Sequence, residues 1–244
     1  MTPGHRPGVS RGCASASAAR LTPGRRPGVF APVRAKLMMA QPYSDLTLTR
    51  HPPRVDIVRM ADRLLPGPFT VDAYHRLAEL GIFDEDDRVE LLDGQIVEMT
   101  PIGGRHAACV VRLNNLLARR SADTAVSVQN PVVLGERWEP QPDIAVLRRA
   151  AGLAGAWLPS PADVVLVIEV ADTSLQRDRD VKIPRYAESG IPEAWLVDLD
   201  GDTITVYRTP GPEGYSEIVT VSRRDTLRPL MLDGVAIAAD EVLG

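Results

Sequence analysis

Helical and strand spacings of apolar residues alternate along the chain from Phe69 onward. In FTVDAYHRLAEL, Tyr74, Leu77 and Leu80 recur at helical spacing, with Thr70 as an N-cap and Gly81 as a stop. RVELLDGQIVEM then reads as two short strands around Asp93-Gly94, a dipeptide suited to the positive φ angles of a tight hairpin turn. Gly104 to Arg120 predicts a second helix, with Val110, Leu113 and Leu117 on one face and Arg105, Arg112 and Arg119 on another. Short apolar runs predict strands at Val126–Val128, Val132–Leu134, Asp143–Leu147 and Val164–Val170. A short helix over Val181–Ser189 follows, with Asp180 as its N-cap, and then strands Ala194–Asp198 and Thr203–Tyr207 joined through Asp200-Gly201. A last strand pair is expected between Glu217–Val221 and the tail. Hairpins mixed with two or three helices predict an α+β, or mixed α/β, single domain over residues 66–244.

No such period exists before this domain. The start of the chain carries an imperfect repeat, TPGHRPGV at Thr2–Val9 and TPGRRPGV at Thr22–Val29, and 11 of its first 44 residues are Pro or Gly. This composition cannot bury enough apolar surface to order itself, so residues 1–65 are expected to form a disordered basic extension. Two origins fit it. The favoured one is an upstream extension of the reading frame, with initiation at Met38, Met39 or Met60, and the other is an organellar transit peptide.

Charge sharpens the division. Residues 1–44 hold six Arg, one Lys and no acid, so with the whole chain at −4 and this segment at +7, the remainder carries −11. That excludes broad coating of a polyanion by the folded part and leaves only local basic patches for such a partner. The longest apolar stretch is far shorter than the ~20 residues of a membrane span, and Glu169 interrupts it. Two cysteines, Cys13 and Cys109, supply neither a disulfide framework nor a zinc site, which fits a reducing, cytoplasmic setting. No membrane partner and no nucleotide cofactor are expected.

Glu169 is also the sharpest chemical feature. It lies in VVLVIEV, a run apolar enough to be covered on both faces, so its carboxylate should be buried and in need of a cation. Asp143 in QPDIAVL poses the same problem at the start of another apolar strand. If the two strands are sheet neighbours, the acids converge at one end, as a hard divalent cation requires; oxygen-only ligation selects magnesium or manganese over zinc. The alternative is a pair of structural ion pairs with Arg or Lys. Lys182, on the helix after the Glu169 strand, is placed to return over the strand end. Two carboxylates and a lysine are a minimal set for metal-assisted phosphodiester hydrolysis.

The succession ELLDGQIVEMTPIGGRHAACVVRLNNLL, QPDIAVL and DVVLVIEVADTSLQRDRDVKIPRYAESGIPEAWLVD resembles the Uma-type family of putative restriction endonucleases, within the PD-(D/E)XK nuclease superfamily. The resemblance spans about Phe69 to Tyr207. It implies a restriction-endonuclease-like fold, a central mixed sheet flanked by helices, and a magnesium- or manganese-dependent endonuclease acting on DNA. Asp143 matches the first motif acid and Glu169 the second, both as metal ligands. The usual lysine two positions later is absent because residue 171 is Ala, and Lys182 stands in its place. Glu90 in VELLDG and His106 in GGRHAA match further recurrent positions, and both join the candidate catalytic set.

His106 reads either as a core-edge histidine or as a group that contacts the phosphate or orients a water. Glu90 reads either as a further site acid or as a partner for an arginine of the hairpin. Arg105, Arg112, Arg177, Arg179 and Arg185 are candidates for tracking a phosphate backbone, against the commoner role of a solvated basic face. Asp172 and Asp178 read as turn and cap residues. A homodimer is attractive, since cutting both strands of a duplex needs two sites or two events. The competing reading is a catalytically inactive module of the same fold that binds nucleic acid or protein.

Overall fold

Asp93 and Gly94 turn the chain with φ of 48° and 75°, both in the left-handed region, and so close the hairpin that the sequence predicts. A side chain at position 94 would also drive its Cβ to 2.5 Å from Pro68 Cβ, so only glycine fits. The computed structural model describes residues 68–83, 87–121, 123–148 and 158–244; the predicted basic extension lies outside the described residues. Its first elements are α1 (Val71–Glu79), capped by the Thr70 hydroxyl, and the hairpin β1 (Val89–Leu92) and β2 (Gln95–Glu98). Then come α2 (Gly104–Arg120), β3 (Thr124–Val128), β4 (Ile144–Arg148) and β5 (Val164–Ala171). A helical run follows in three pieces: α3 (Leu175–Arg177), a π-helical turn (Asp178–Lys182) and α4 (Ile183–Glu188). The chain continues through β6 (Glu193–Asp198), β7 (Thr203–Gly211), β8 (Gly214–Val221), β9 (Thr226–Leu227), β10 (Ile237–Ala238) and α5 (Ala239–Leu243).

Six strands form one mixed sheet in the order β3-β4-β5-β6-β7-β8. β5 and β6 run parallel, and each other neighbouring pair is antiparallel. The helical run is therefore the crossover between two parallel strands. It covers one face of the sheet, where Ile183, Tyr186 and Ala187 pack on Val167, Leu196 and Tyr207. α2 covers the other face, with Val110, Leu113 and Leu117 against Ile144, Ile168 and Trp195. Coverage on both faces is why β5 and β6 read as continuous apolar runs. The architecture agrees with the predicted mixed sheet flanked by helices. Among the described residues no helix is long and apolar enough to cross a membrane.

Three predicted elements differ. Val132–Leu134 is not a strand: Val132 N–H donates to the Pro140 carbonyl, Val133 N–H to Pro159 and Leu134 N–H to Trp138, so its bonds go to loops, not to one ladder. The crossover helix begins at Leu175 after Ser174 rather than after Asp180, because the π turn admits Asp178 and Lys182 to the helical run before Pro184. Glu217–Val221 belongs to β8 and pairs with β7, while the tail forms a separate β9–β10 ribbon and α5.

Candidate active site

The register of β4 on β5 pairs Ile144 with Ile168. Continued one step outward, that register sets Asp143, just before β4, opposite Glu169, and directly opposed residues of an antiparallel pair lie on the same side of the sheet. The condition that their strands be sheet neighbours holds. Asp143 Oδ2 accepts a 2.9 Å bond from the Val170 N–H and lies 3.0 Å from His106 Nε2, while Oδ1 accepts from Gln129 Nε2 at 3.1 Å. Burial pushes the Asp143 carboxyl up, but the bonds from His106, Val170 and Gln129 outweigh it and hold the acid below its usual range. The same bond raises His106 above an ordinary imidazole, against the cost of burial. His106 Nδ1 is buried and has no hydrogen-bond partner.

Glu169 has a different shell. Tyr186 donates its hydroxyl to Glu169 Oε1 at 2.5 Å, and Lys182 Nζ lies 3.5 Å from the same oxygen. Lys182 is itself shared: Glu90 Oε2 is 3.0 Å away and Asp178 Oδ1 4.0 Å. β1 delivers Glu90 because Leu91 and Glu139 exchange backbone bonds of 3.2 and 2.8 Å, which fix the hairpin; the Gln141 N–H then donates to Glu90 Oε2 at 3.2 Å. Ser174 donates to Asp178 Oδ2 at 2.5 Å. The π turn matters here, because it sends Asp178 and Lys182, four residues apart, into the same interior.

Glu90, Glu169, Asp178 and Lys182 are each at most 5% exposed, so three carboxylates share one ammonium away from water. Burial pushes Glu169 well above the ordinary carboxylate range and Asp178 upward, although Lys182 opposes both. Burial would lower the Lys182 ammonium, but Glu169, Glu90 and Asp178 outweigh it and raise it. The cluster thus holds three buried acids against one buried cation, and its ligating atoms are oxygens. A hard divalent cation fits that chemistry at Asp143 and Glu169. Among the described residues, no three His, Cys, Asp or Glu side chains already converge as a metal-binding group.

These groups line a cleft of about 190 Å³ that also takes in Arg88 and Arg177. Of the arginines predicted to track a phosphate backbone, Arg177 lines it and the others have partners elsewhere. Arg105 bonds Asp200 at 2.8 Å and Asp172 at 3.4 Å. Arg112 donates to the Val242 and Leu243 carbonyls at 2.9 and 3.0 Å and so fastens α5 to α2. Arg179 pairs with Asp180 at 2.8 Å, and Arg185 pairs with Glu188 at 3.0 Å while lying over the Trp138 ring. Asp178, Tyr186, Gln129 and Arg88 were not among the predicted site residues. Asp178 and Tyr186 had a signal, since each lies four residues from Lys182 on a helix, and Arg88 lies two residues from Glu90 on one strand face. Gln129 had none: it adopts a φ of 52° at a strand end, which no pattern announces.

A family model described as Uma2, putative restriction endonuclease, matches residues 71–240. Among solved structures, a putative nuclease of the DUF820 group from Anabaena variabilis is similar, with a TM-score of 0.56 and 20% sequence identity over 72% of this chain and 98% of that one. Comparison with curated proteins gives no match.

Proposed function

The chain belongs to the Uma2 family of putative restriction endonucleases, and from that premise we propose that it is a magnesium- or manganese-dependent endonuclease hydrolysing phosphodiester bonds of DNA. One observation carries the reading: Asp143, just before β4, and Glu169, on the neighbouring β5, line one cleft, with Lys182 Nζ 3.5 Å from Glu169 and buried acids outnumbering the buried cation. Asp143 and Glu169 would hold the ion. A divalent ion, when bound, polarises the phosphate and makes water a stronger nucleophile at neutral pH. Lys182 positions the attacking water or offsets charge growing on the phosphoryl oxygens, and its ammonium stays charged because three acids surround it. Glu90 and Asp178 keep that ammonium at the cleft floor. His106 donates from Nε2 to Asp143 and so fixes which way this carboxylate points. Two copies of the chain would cut both strands of a duplex in one encounter. Cys109, a buried free thiol, suits a reducing cytoplasm.

The test is plasmid relaxation with magnesium or manganese. Wild type should nick or linearise the plasmid, and Asp143→Ala and Glu169→Ala should not, with circular dichroism spectra unchanged. Wild-type cleavage by either variant overturns the assignment. One feature favours a second reading: Lys182 already occupies the approach to Glu169, as it would in a purely structural ion cluster. In that case the protein binds nucleic acid without cutting, and all three proteins leave the plasmid intact.

A further inference from the structure

Most arginines with a side-chain contact among the described residues reach a carboxylate. Arg105, Arg120, Arg137, Arg179, Arg185, Arg208 and Arg223 each have one. The two that line the cleft do not. Arg88 Nη1 makes a 3.5 Å contact with the Thr100 carbonyl, and Arg177 Nη1 a 3.4 Å contact with the Glu98 carbonyl. Those acceptors lie two residues apart, at the last residue of β2 and just beyond it, so the guanidinium groups arrive from the residue before β1 and from the end of α3 at one short stretch of cleft wall. Each keeps most of its five N–H donors for something else. Asp172, another acid lining the cleft, is in contact with Arg105. Arg88 and Arg177 line the same cleft as Glu90, Glu169 and Asp178, so the positive wall stands beside the acidic floor.

We propose that Arg88 and Arg177 form a two-point grip for the phosphate backbone of a nucleic acid at the mouth of the cleft. This deepens the endonuclease reading and rests on it. The physical need is plain: a polyanion approaching buried Glu90, Glu169 and Asp178 is repelled, and cations at the entrance offset that repulsion. Guanidinium groups suit the task because their planar fork takes phosphate oxygens in pairs. Carbonyl contacts of 3.5 and 3.4 Å leave the charge of both forks unneutralised. The grip is indifferent to sequence, because phosphates carry none.

Counterion release supplies a readout that does not depend on cleavage. Fluorescence anisotropy of a labelled oligonucleotide, single-stranded or duplex, is followed against NaCl in EDTA, so that no metal contributes. Arg88→Gln and Arg177→Gln should each make the slope of log K against log salt shallower, by about 0.9 for duplex or about 0.7 for single strands. Arg88→Lys should restore the slope by returning the charge. Arg137→Gln, which removes the same charge from an arginine paired with Asp93, should keep the wild-type slope. Unchanged slopes in Arg88→Gln and Arg177→Gln, an equal drop in Arg137→Gln, or no salt-dependent binding by the wild type would overturn the grip. The slopes are read in EDTA, so a wild type that binds with the expected slope yet leaves the plasmid intact with magnesium or manganese sinks the nuclease reading while leaving this result standing.

Discussion

Glu169 on β5 and Glu193 on β6 are both buried acids on neighbouring strands of one sheet, and they are held in opposite ways. Glu193 Oε1 accepts from Trp195 Nε1 at 2.9 Å and from Arg208 Nε and Nη2 at 3.1 and 3.0 Å. Its other oxygen accepts the Leu230 N–H at 2.5 Å. This carboxylate has a full set of donors, the Arg208 guanidinium also reaches Glu217 at 3.6 Å and the Arg228 carbonyl at 2.6 Å, and together they tie β6 and β7 to the segment after β9. Around Glu169 three carboxylates compete for Lys182, and burial drives two of them towards the neutral form. The first arrangement is how a sheet keeps a charge for structure. The second holds more acids than cations, so it must take up protons or a further cation, and the proposed metal site uses the latter.

Four changes test that contrast, and the largest concerns cleavage. Glu169→Gln should lower plasmid cutting on the order of 10³-fold, while Glu193→Gln leaves the rate per folded molecule unchanged. Equal losses in the two variants would erase the distinction. Next comes stability. Glu193→Ala leaves the Leu230 N–H and the Trp195 indole without their acceptor and should cost about 2 kcal/mol by urea unfolding, less than a broken buried pair because Arg208 keeps Glu217, the Arg228 carbonyl and 22% exposure.

In metal-free protein Glu169→Gln should act in the other direction, raising Tm by about 2–4 °C at neutral pH through relief of like-charge repulsion at a gain of about 1 kcal/mol. The pH dependence follows from the raised folded-state pKa values of Glu169 and Asp178. An acid that holds its proton more tightly when folded favours the fold at low pH, so metal-free stability should fall as pH rises from the ordinary carboxylate range through the raised values. Magnesium should remove much of that fall, and Glu169→Gln should flatten it without metal. A thermal-melt series across pH with and without the ion reads both. Smallest is Tyr186→Phe, which deletes the bond to Glu169; a loss of about 1 kcal/mol is expected, with the Glu169 pKa moving still higher.

What could be read in advance tracks the range of the forces involved. The β1–β2 turn and α2, including its Gly104–Arg120 limits, were legible because Asp93-Gly94 and the spacing of Val110, Leu113 and Leu117 are local signals. The adjacency of Asp143 and Glu169 was legible because two buried strands joined by one loop pair readily. Glu193 escaped notice: following Pro192 at a strand start, it reads as a solvent-facing end, and its partners Arg208 and Leu230 lie far along the chain. Arg112 reads as part of a basic stripe, yet its role is set by carbonyls 130 and 131 positions away. The helix start was misplaced because Asp180 and Pro184 look like local punctuation, whereas burial of Asp178 and Lys182 decides where the run begins.

The crossover between β5 and β6 has a practical consequence. Glu169, Asp178, Lys182 and Tyr186 all lie between the start of β5 and the end of β6, whereas Glu90, His106 and Asp143 all precede β5. A chain divided in the connection between β4 and β5 would leave one metal-ligand candidate on each fragment, and the lysine on only one of them. On the proposed reading neither fragment could cut alone, and recovered cleavage would count reassembled molecules. The sheet could then serve as a self-reporting split enzyme, its output set by how well β5 finds β4.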